Sequence, residues 1–255
     1  MTSVDPARPI PRRGPSRASR GAALAAVAAV ATSLAAAAAA DFDELDSLSP
    51  EQFERLAENL GAATHHRGIA PAEPLGVLGA DAALELSSTE VDEELFALAG
   101  DEPDLDSLLV PRLHAQKGLP FRLDVGAMVA AVPETDATLI GAELRLALVE
   151  GGVATPAVSV RASYSRLQGV AELELDNYAI ELAISKGILM FTPYAGVGAV
   201  RTDASAPLAD SLDDVSVDQG KVFAGLNVNL GVNLGLEADR TGDYTTYSAK
   251  VGIRF

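Results

Sequence analysis

Ile140-Gly-Ala-Glu-Leu-Arg-Leu-Ala-Leu148 is the stretch of sequence that decides the fold. Large apolar residues occupy every second position, and Gly141, Glu143 and Arg145 stand between them. Successive side chains of a β-strand point to opposite faces, so this pattern predicts a strand with one apolar and one polar face.

The same alternation recurs in ten segments between about residue 75 and the last residue, Phe255. Alternation is weak evidence for a single strand, but ten such segments in succession are typical of an antiparallel all-β protein. The ninth segment is the least certain, because residues 222–237 could also form one long strand. The sequence therefore predicts about ten antiparallel strands.

Charged residues of these segments fall in the phase opposite to the large apolar residues. We expect them to face the interior of the structure, where acids and bases are nearly balanced in number. They are Asp81, Glu85, Arg112, His114, Arg122, Asp124, Glu143, Arg145, Arg161, Glu181, Glu237, Asp239, Lys250 and Arg254.

The lengths of the connections distinguish a membrane barrel from a soluble β-sandwich, which would show the same alternation with its apolar face buried. If the first strand starts in the periplasm, the long stretches 87–106 and 202–219 fall outside the cell. The short stretches 118–120 and 231–233 then fall in the periplasm. Long outer loops and short periplasmic turns are typical of outer-membrane barrels. We therefore predict a closed antiparallel transmembrane β-barrel over residues 73–255.

Aromatic residues fall at two levels under this assignment, as expected for girdles at the two membrane interfaces. Those at periplasmic strand ends are Phe121, Phe191 and Phe255, and those towards the outer ends are Tyr164, Tyr178 and Tyr247.

Three arginines, Arg166, Arg201 and Arg240, fall in the lipid-facing phase at outer strand ends. A guanidinium can bind a phosphate through two parallel hydrogen bonds, so we expect these residues to contact lipopolysaccharide. The alternative is that they only extend to water without a specific lipid.

Residues 1–40 carry five arginines, an Ala/Val/Leu run and Ala38-Ala-Ala40 before Asp41. This order predicts a secretory signal cleaved after Ala40, with an uncleaved membrane helix as the alternative. The sequence thus predicts export to the bacterial outer membrane.

Residues 41–72 are predicted to form a periplasmic segment with one short helix over 50–60. Ser49 is its N-cap, Pro50 its first residue, and Phe53 and Leu56 belong to an apolar stripe. This stripe is expected to face the periplasmic mouth or to enter the lumen as a plug. His65 and His66 are interpreted as part of a polar linker, because adjacent histidines without a third ligand nearby are weak evidence for a metal site.

Tyr244-Thr-Thr-Tyr-Ser-Ala-Lys-Val-Gly-Ile-Arg-Phe255 resembles the C-terminal assembly signal of outer-membrane barrels. With Leu119-Pro-Phe, Glu150-Gly-Gly-Val-Ala-Thr-Pro and Thr192-Pro-Tyr-Ala-Gly-Val-Gly, the chain from about residue 50 resembles an uncharacterised proteobacterial family of small outer-membrane barrels. The resemblance implies the barrel fold, outer-membrane lipid as surroundings, and recognition by the barrel-assembly machinery through the strand ending in Phe255. It implies no ligand.

Two functions fit the sequence: a narrow channel for passive uptake of small molecules, or a non-conducting structural or surface-interaction barrel acting through acidic extracellular loops. No motif of a nucleophile with its base, of a zinc protease or of a phosphate-binding loop occurs, so we expect neither an enzyme nor a cofactor. The net charge of −17 argues against a nucleic-acid partner. Asp210, Asp213, Asp214 and Asp218 could bind Ca²⁺ or Mg²⁺, but a solvated acidic loop is favoured because they lack EF-hand spacing.

Overall fold

Ten antiparallel strands form one closed barrel in the computed structural model, which describes residues 45–99, 106–131, 137–209 and 211–255. The prediction of a ten-stranded barrel is confirmed. The strands are β1 (Ala80–Glu90), β2 (Ser107–Leu119), β3 (Leu123–Ala131), β4 (Thr138–Glu150), β5 (Ala157–Gln168), β6 (Glu174–Ser185), β7 (Phe191–Ser205), β8 (Val215–Asn229), β9 (Asn233–Thr241) and β10 (Tyr244–Arg254). The predicted signal segment, residues 1–40, lies outside the described residues.

Pairing of β1 with β10 closes the barrel, in register from Asp81 opposite Arg254 to Thr89 opposite Thr246. Closure matters in a bilayer because lipid offers no hydrogen-bond partner to an unpaired strand edge. The connection between β1 and β2, and every second connection after it, lies at one end of the barrel, which we call the loop end. The opposite end, where Ala80 and Phe255 lie, is called the turn end.

The two faces of the barrel wall differ in polarity, and the apolar one points outwards. Ile180 and Leu236 are 57% and 61% exposed, whereas Glu143 and Glu181 are at most 5% exposed. A water-soluble sheet would bury the first pair and expose the second. The wall is therefore built to lie in lipid, with an outward apolar surface that also includes Leu113, Val129, Ile140, Leu144, Leu182, Val197, Val222 and Tyr247.

The turn between β2 and β3 corrects the expected position of Arg122. This residue and Phe121 have φ angles of 63° and 66° in the turn, so the alternation breaks before β3 begins at Leu123. The side chain of Arg122 is half exposed, with its Nε 3.7 Å from Glu150 Oε1. Arg122 therefore does not line the lumen.

Strands β7 and β8 are longer than expected, and the loop between them is shorter. Residues 202–219 were predicted to form a loop, but Thr202 pairs with Val217 and Ala204 pairs with Val215. The alternation of β8 already begins at Val215 and Val217. This part of the strand was not recognised from the sequence, because acidic residues come directly before it. Residues 222–237 do not form one long strand, because β8 ends at Asn229 and β9 begins at Asn233.

Helix α1 (Pro50–Thr64) begins as predicted and ends four residues later than expected. The hydroxyl of Ser49 accepts a hydrogen bond from the Gln52 amide, and the Gln52 side chain accepts one from the Ser49 amide, which completes a capping box. A second helix, α2 (Glu93–Ala99), lies between β1 and β2. Neither α1 nor α2 nor any other helix among the described residues is long and apolar enough to cross a membrane.

Helix α1 and residues 65–75 lie inside the barrel, so we name residues 50–75 the plug. The helix contacts seven strands, β1, β2, β5, β6, β7, β8 and β10. The described part of the segment predicted over residues 41–72, from Leu45, packs against the barrel, with its helix in the lumen. The physical reason is that Phe53 and Leu56 are buried in one apolar cluster with residues of the wall, of α2 and of the chain ahead of α1.

The depth of the apolar band can be tested on β6. Ile180 lies at the middle of this strand, and Ile184 lies on the same face near the turn end. We expect Ile180→Arg to lower the free energy of unfolding by about 2–4 kcal/mol and Ile184→Arg by less than about 1 kcal/mol, because a charge near the interface reaches water. Urea unfolding in lipid vesicles measures both. Equal costs at the two positions would contradict this placement of the membrane.

Candidate functional site in the barrel lumen

An apolar cluster closes the loop end of the barrel. Phe53, Leu56 and Leu60 of α1 pack against Leu95 and Phe96 of α2, all of them at most 3% exposed. The remaining partners come from the chain ahead of α1 and from the adjoining strand ends and loops of the wall. They are Leu45, Leu48, Leu173, Leu175, Ala204, Ala206, Ala209 and Val217. We call this set, with the α1 and α2 residues, the mouth cluster.

Gly61 lets the helix approach the wall closely. A Cβ atom at this position would lie 2.1 Å from Thr202 Oγ1, which is far inside van der Waals contact. Thr202 donates to Asn177 Oδ1 at 2.8 Å, and Asn177 donates to Thr64 Oγ1 at 3.0 Å. Because Gly61 has no side chain, the helix lies close to the wall at the place where these hydrogen bonds join the two.

The C-terminal end of α1 lies among cationic and hydroxyl groups of the lumen. The last carbonyl groups of a helix have no partner within it, and they carry partial negative charge. Arg112 of β2 donates to Ala63 O at 2.7 Å, and Ser165 of β5 donates to Thr64 O at 3.0 Å. Arg67 also donates to Ala63 O at 3.1 Å. The wall therefore completes the hydrogen bonding of the helix end.

Residues 65–75 continue from the helix towards the turn end along the lumen. Arg67 forms an ion pair with Asp239 at 2.9 Å and donates to Thr246 Oγ1 at 3.0 Å. Further along, Arg145 donates to Pro71 O at 2.8 Å. The Leu75 amide donates to Asp124 at 3.1 Å. Hydrogen bonds and an ion pair thus hold the plug to the wall along the length of the lumen.

Glu181 is the centre of an ion-pair network that joins three strands. Its carboxylate pairs with Arg161 of β5, the neighbouring strand, and with Lys221 of β8 at 2.8 Å. Strand β7 lies between β6 and β8, and its residue at this level is Gly198. A Cβ there would lie 2.8 Å from Glu181 Cγ. The glycine therefore leaves the space through which Lys221 reaches Glu181.

Three buried side chains meet between the plug and the wall. His66 Nε2 lies 3.2 Å from Glu143 Oε2, and His114 Nε2 lies 3.8 Å from Glu143 Oε1. The two imidazole rings are 5.3 Å apart. His114 Nδ1 lies 3.1 Å from Glu85 Oε1. We call His66, His114 and Glu143 the histidine cluster, and Glu85 lies beside it.

Most of the charged residues predicted to face the lumen do lie there. Arg254 is half-buried and Arg122 lies in the turn described above. The others are at most 5% exposed: Asp81, Glu85, Arg112, His114, Asp124, Glu143, Arg145, Arg161, Glu181, Glu237, Asp239 and Lys250.

Sequence reasoning missed four residues of the lumen: His65, His66, Arg67 and Lys221. His65 and His66 were interpreted as a linker, yet these two residues and Arg67 are at most 1% exposed. Lys221 shares the inward phase of β8, but the strand was expected to begin at Val222. The helix could have indicated the burial of His65, His66 and Arg67. Its apolar stripe predicts that the helix packs against the barrel, and the residues that follow it directly would then be buried too.

The three arginines expected at the lipid face do point away from the lumen, each beside a carboxylate. Arg166 Nη2 lies 3.2 Å from Glu174. Arg201 Nε lies 3.2 Å from Asp203, and Arg240 Nη2 lies 3.0 Å from Asp243. They therefore form an outward band of ion pairs at the loop end instead of a ring of bare cations.

Acidic groups predominate on the exposed side of the mouth. On α1, burial raises the pKa of Glu58, and the nearby carboxylates of Glu54 and Asp243 raise it further, while Arg55 acts in the opposite direction. Arg55 itself pairs with Asp92 ahead of α2. Burial is thus the main cause of the raised pKa of Glu58, and the neighbouring carboxylates add to it.

Several solved outer-membrane proteins have a similar fold. The N-terminal β-barrel domain of OprF from Pseudomonas aeruginosa is 12% identical over 69% of this chain and 97% of that chain, with a TM-score of 0.37. Ail of Yersinia pestis is 12% identical over 69% and 98%, with a TM-score of 0.28. The translocator domain of the autotransporter NalP from Neisseria meningitidis is 10% identical over 86% and 99%, with a TM-score of 0.40. No protein-family model and no curated protein matches the sequence.

At such low identities the likeness concerns the fold alone. The closed ladder, the apolar outer face and the charged, filled interior define the class: this chain is a transmembrane β-barrel with an internal plug.

Proposed function

We propose that this protein is a non-conducting barrel of the bacterial outer membrane that acts through its loop end. The observation that carries this proposal is the burial of the plug, since His65, His66 and Arg67 are at most 1% exposed. A pore needs a continuous path for water and ions through the lumen. The plug fills that path.

The nearly equal numbers of acidic and basic side chains in the interior support the same function. Among the described residues, seven carboxylates and six Lys or Arg side chains are buried, and the pair of Arg67 with Asp239 joins the plug to the wall. A selective pore is usually lined by an excess of one sign. Of the two functions that fit the sequence, the structural or surface-interaction barrel is therefore favoured over the narrow channel.

The loop end supplies the surface for such an interaction. Exposed acids of α1 and α2, including Glu51, Glu54, Glu93 and Glu94, lie around the mouth cluster. A surface of this kind attracts cationic partners and repels polyanions. We propose that the partner class is a cationic protein surface or a polyamine, and that no catalytic step is involved.

The conductance of the intact protein tests the proposal. The full chain, refolded in detergent and inserted into planar bilayers, is expected to give no stable channel. Slower migration after heating in gel electrophoresis establishes separately that the barrel is closed. A steady conductance from closed, plugged barrels would favour the narrow uptake channel instead.

Export and assembly are part of the same proposal. The signal over residues 1–40 would direct the chain to the periplasm, and the assembly machinery would recognise β10. Phe255 is 74% exposed at the turn end, where its amide and carbonyl pair with Ala80. Membership of the proteobacterial family that the sequence resembles belongs to the proposal as well.

The outward arginines are proposed to contact lipopolysaccharide phosphates. We expect Arg166→Gln/Arg201→Gln/Arg240→Gln to reduce the lipopolysaccharide that co-purifies with the folded barrel, because the phosphate loses three bidentate donors. Arg55→Gln is the control, since this arginine lies at the same end but on α1. Phosphate analysis of the purified protein gives the readout. Equal lipopolysaccharide content in the triple variant and the wild type would show that the arginines only reach water.

A further inference from the structure

The histidine cluster brings together the kinds of side chain that bind transition metals. His66 comes from the plug, His114 from β2 and Glu143 from β4. One ligand atom from each lies within 4.8 Å of the other two, and all three residues are buried. In a tetrahedral zinc site, neighbouring ligand atoms are about 3.3 Å apart. His66 Nε2 lies 3.2 Å from Glu143 Oε2 and His114 Nε2 lies 3.8 Å from Glu143 Oε1, so the imidazoles approach the two oxygens of one carboxylate, each at close to this spacing.

The ring nitrogens of the cluster face carboxylate oxygens. His66 Nε2 lies 3.2 Å from Glu143, and the two nitrogens of His114 lie 3.1 Å from Glu85 and 3.8 Å from Glu143. The neighbouring His65 is different, because its Nδ1 contacts Gly61 O at 3.1 Å and its Nε2 contacts Lys221 Nζ at 3.0 Å. The imidazoles of His66 and His114 are thus arranged around one buried carboxylate, whereas His65 is held by a carbonyl and an ammonium group.

Carboxylates around the cluster fit the surroundings of a metal site. Glu85 Oε1 lies 3.1 Å from His114 Nδ1, the nitrogen turned away from Glu143. A carboxylate in this position orients a metal-binding imidazole and makes it more basic. Gln116 donates to one oxygen of Glu143, and Arg161 Nη1 lies 3.5 Å from the other. Both carboxylate oxygens of Glu143 are therefore oriented by neighbours in the wall.

We propose that His66, His114 and Glu143 bind one divalent metal ion of the zinc type. Two imidazoles and a carboxylate suit Zn²⁺, Co²⁺ or Ni²⁺, whereas Ca²⁺ and Mg²⁺ prefer oxygen ligands alone. Two of the ligands belong to the wall and one to the plug, so the ion joins the plug to β2 and β4. The inference goes beyond the proposed function, because a metal can be bound whether or not the barrel conducts.

Metal titration of the refolded full-length protein tests the site. Co²⁺ added to the wild-type barrel is expected to give a visible absorption band that saturates at one ion per chain and is removed by Zn²⁺. His66→Gln and His114→Gln should each weaken binding by about 100-fold or more, since each removes a ligand. His65→Gln is the matched control and should bind as the wild type does.

Three outcomes would overturn the proposal: no band in the folded wild type, unchanged binding in both ligand variants, or equal weakening in His65→Gln. Gel mobility after heating establishes that each variant is folded. If the ligand variants do not fold, X-ray absorption of the wild type with Zn²⁺ decides. A shell with two imidazole nitrogens and oxygen supports the site, and a shell of oxygen alone contradicts it.

Discussion

Removal of residues 45–72 is expected to turn the closed barrel into a cation-selective pore. The deletion takes away α1, His65, His66 and Arg67, which fill the lumen. Among the described residues, the buried charges left on the wall are seven carboxylates and five cations, an excess of negative charge that favours cations. The carboxylates are Asp81, Glu85, Asp124, Glu143, Glu181, Glu237 and Asp239, and the cations are Arg112, Arg145, Arg161, Lys221 and Lys250.

Planar-bilayer recordings in a salt gradient measure both conductance and selectivity. Glu54→Gln is the control within the plug, because Glu54 lies on the exposed face of α1 and its substitution should leave the barrel closed. A deletion variant that migrates as a folded barrel but does not conduct would show that side chains of the wall close the lumen by themselves.

Glu181→Gln is expected to destabilise the barrel by about 3–5 kcal/mol, because removing one partner of a buried ion pair leaves charge without compensation. Lys221 would then lose its ion pair and keep His65 and the Phe223 ring beside its ammonium group, and Arg161 would keep the 3.5 Å contact with Glu143. All of the strands involved, β5, β6 and β8, belong to the wall. The loss should therefore appear as lower stability of the barrel itself and not as release of the plug.

The double variant Glu181→Gln/Lys221→Met provides the comparison, since it also removes the stranded ammonium group. We expect it to be more stable than Glu181→Gln alone. Urea unfolding in vesicles, monitored by gel mobility or circular dichroism, suits a chain without tryptophan. A loss below about 1 kcal/mol in the single variant would mean that water reaches Lys221 and screens it.

The wall of the barrel could be predicted from the sequence because its information is local. An alternating stretch such as Ile140 to Leu148 indicates both a strand and its two faces. Ten such stretches in succession indicate the closed sheet. The prediction failed at Arg122, where two residues with positive φ interrupt the alternation. It also failed at Lys221, because the acids before β8 resembled a loop.

The contents of the lumen could not be predicted in the same way. His66, His114 and Glu143 are far apart in the sequence, and they meet only because the plug passes β2 and β4 at one level. Strand register places His114 opposite Met128 and Glu143 opposite Gly126, but it does not place the plug. Local patterns contain no information on how far a tail extends into a barrel.

The plug is joined covalently to the wall at one point, where Gly79 leads into β1 at Ala80. Its helix begins at the loop end, opposite the point of attachment. Within the described residues, the plug therefore runs from the loop end to the turn end, where it continues into the wall. Withdrawing it through the loop end would break hydrogen bonds and ion pairs to the wall, but no bond between two strands. Pulling on the chain ahead of Leu45 should therefore extract about thirty residues at low force, before any strand separates, and the molecule would then show two distinct mechanical strengths.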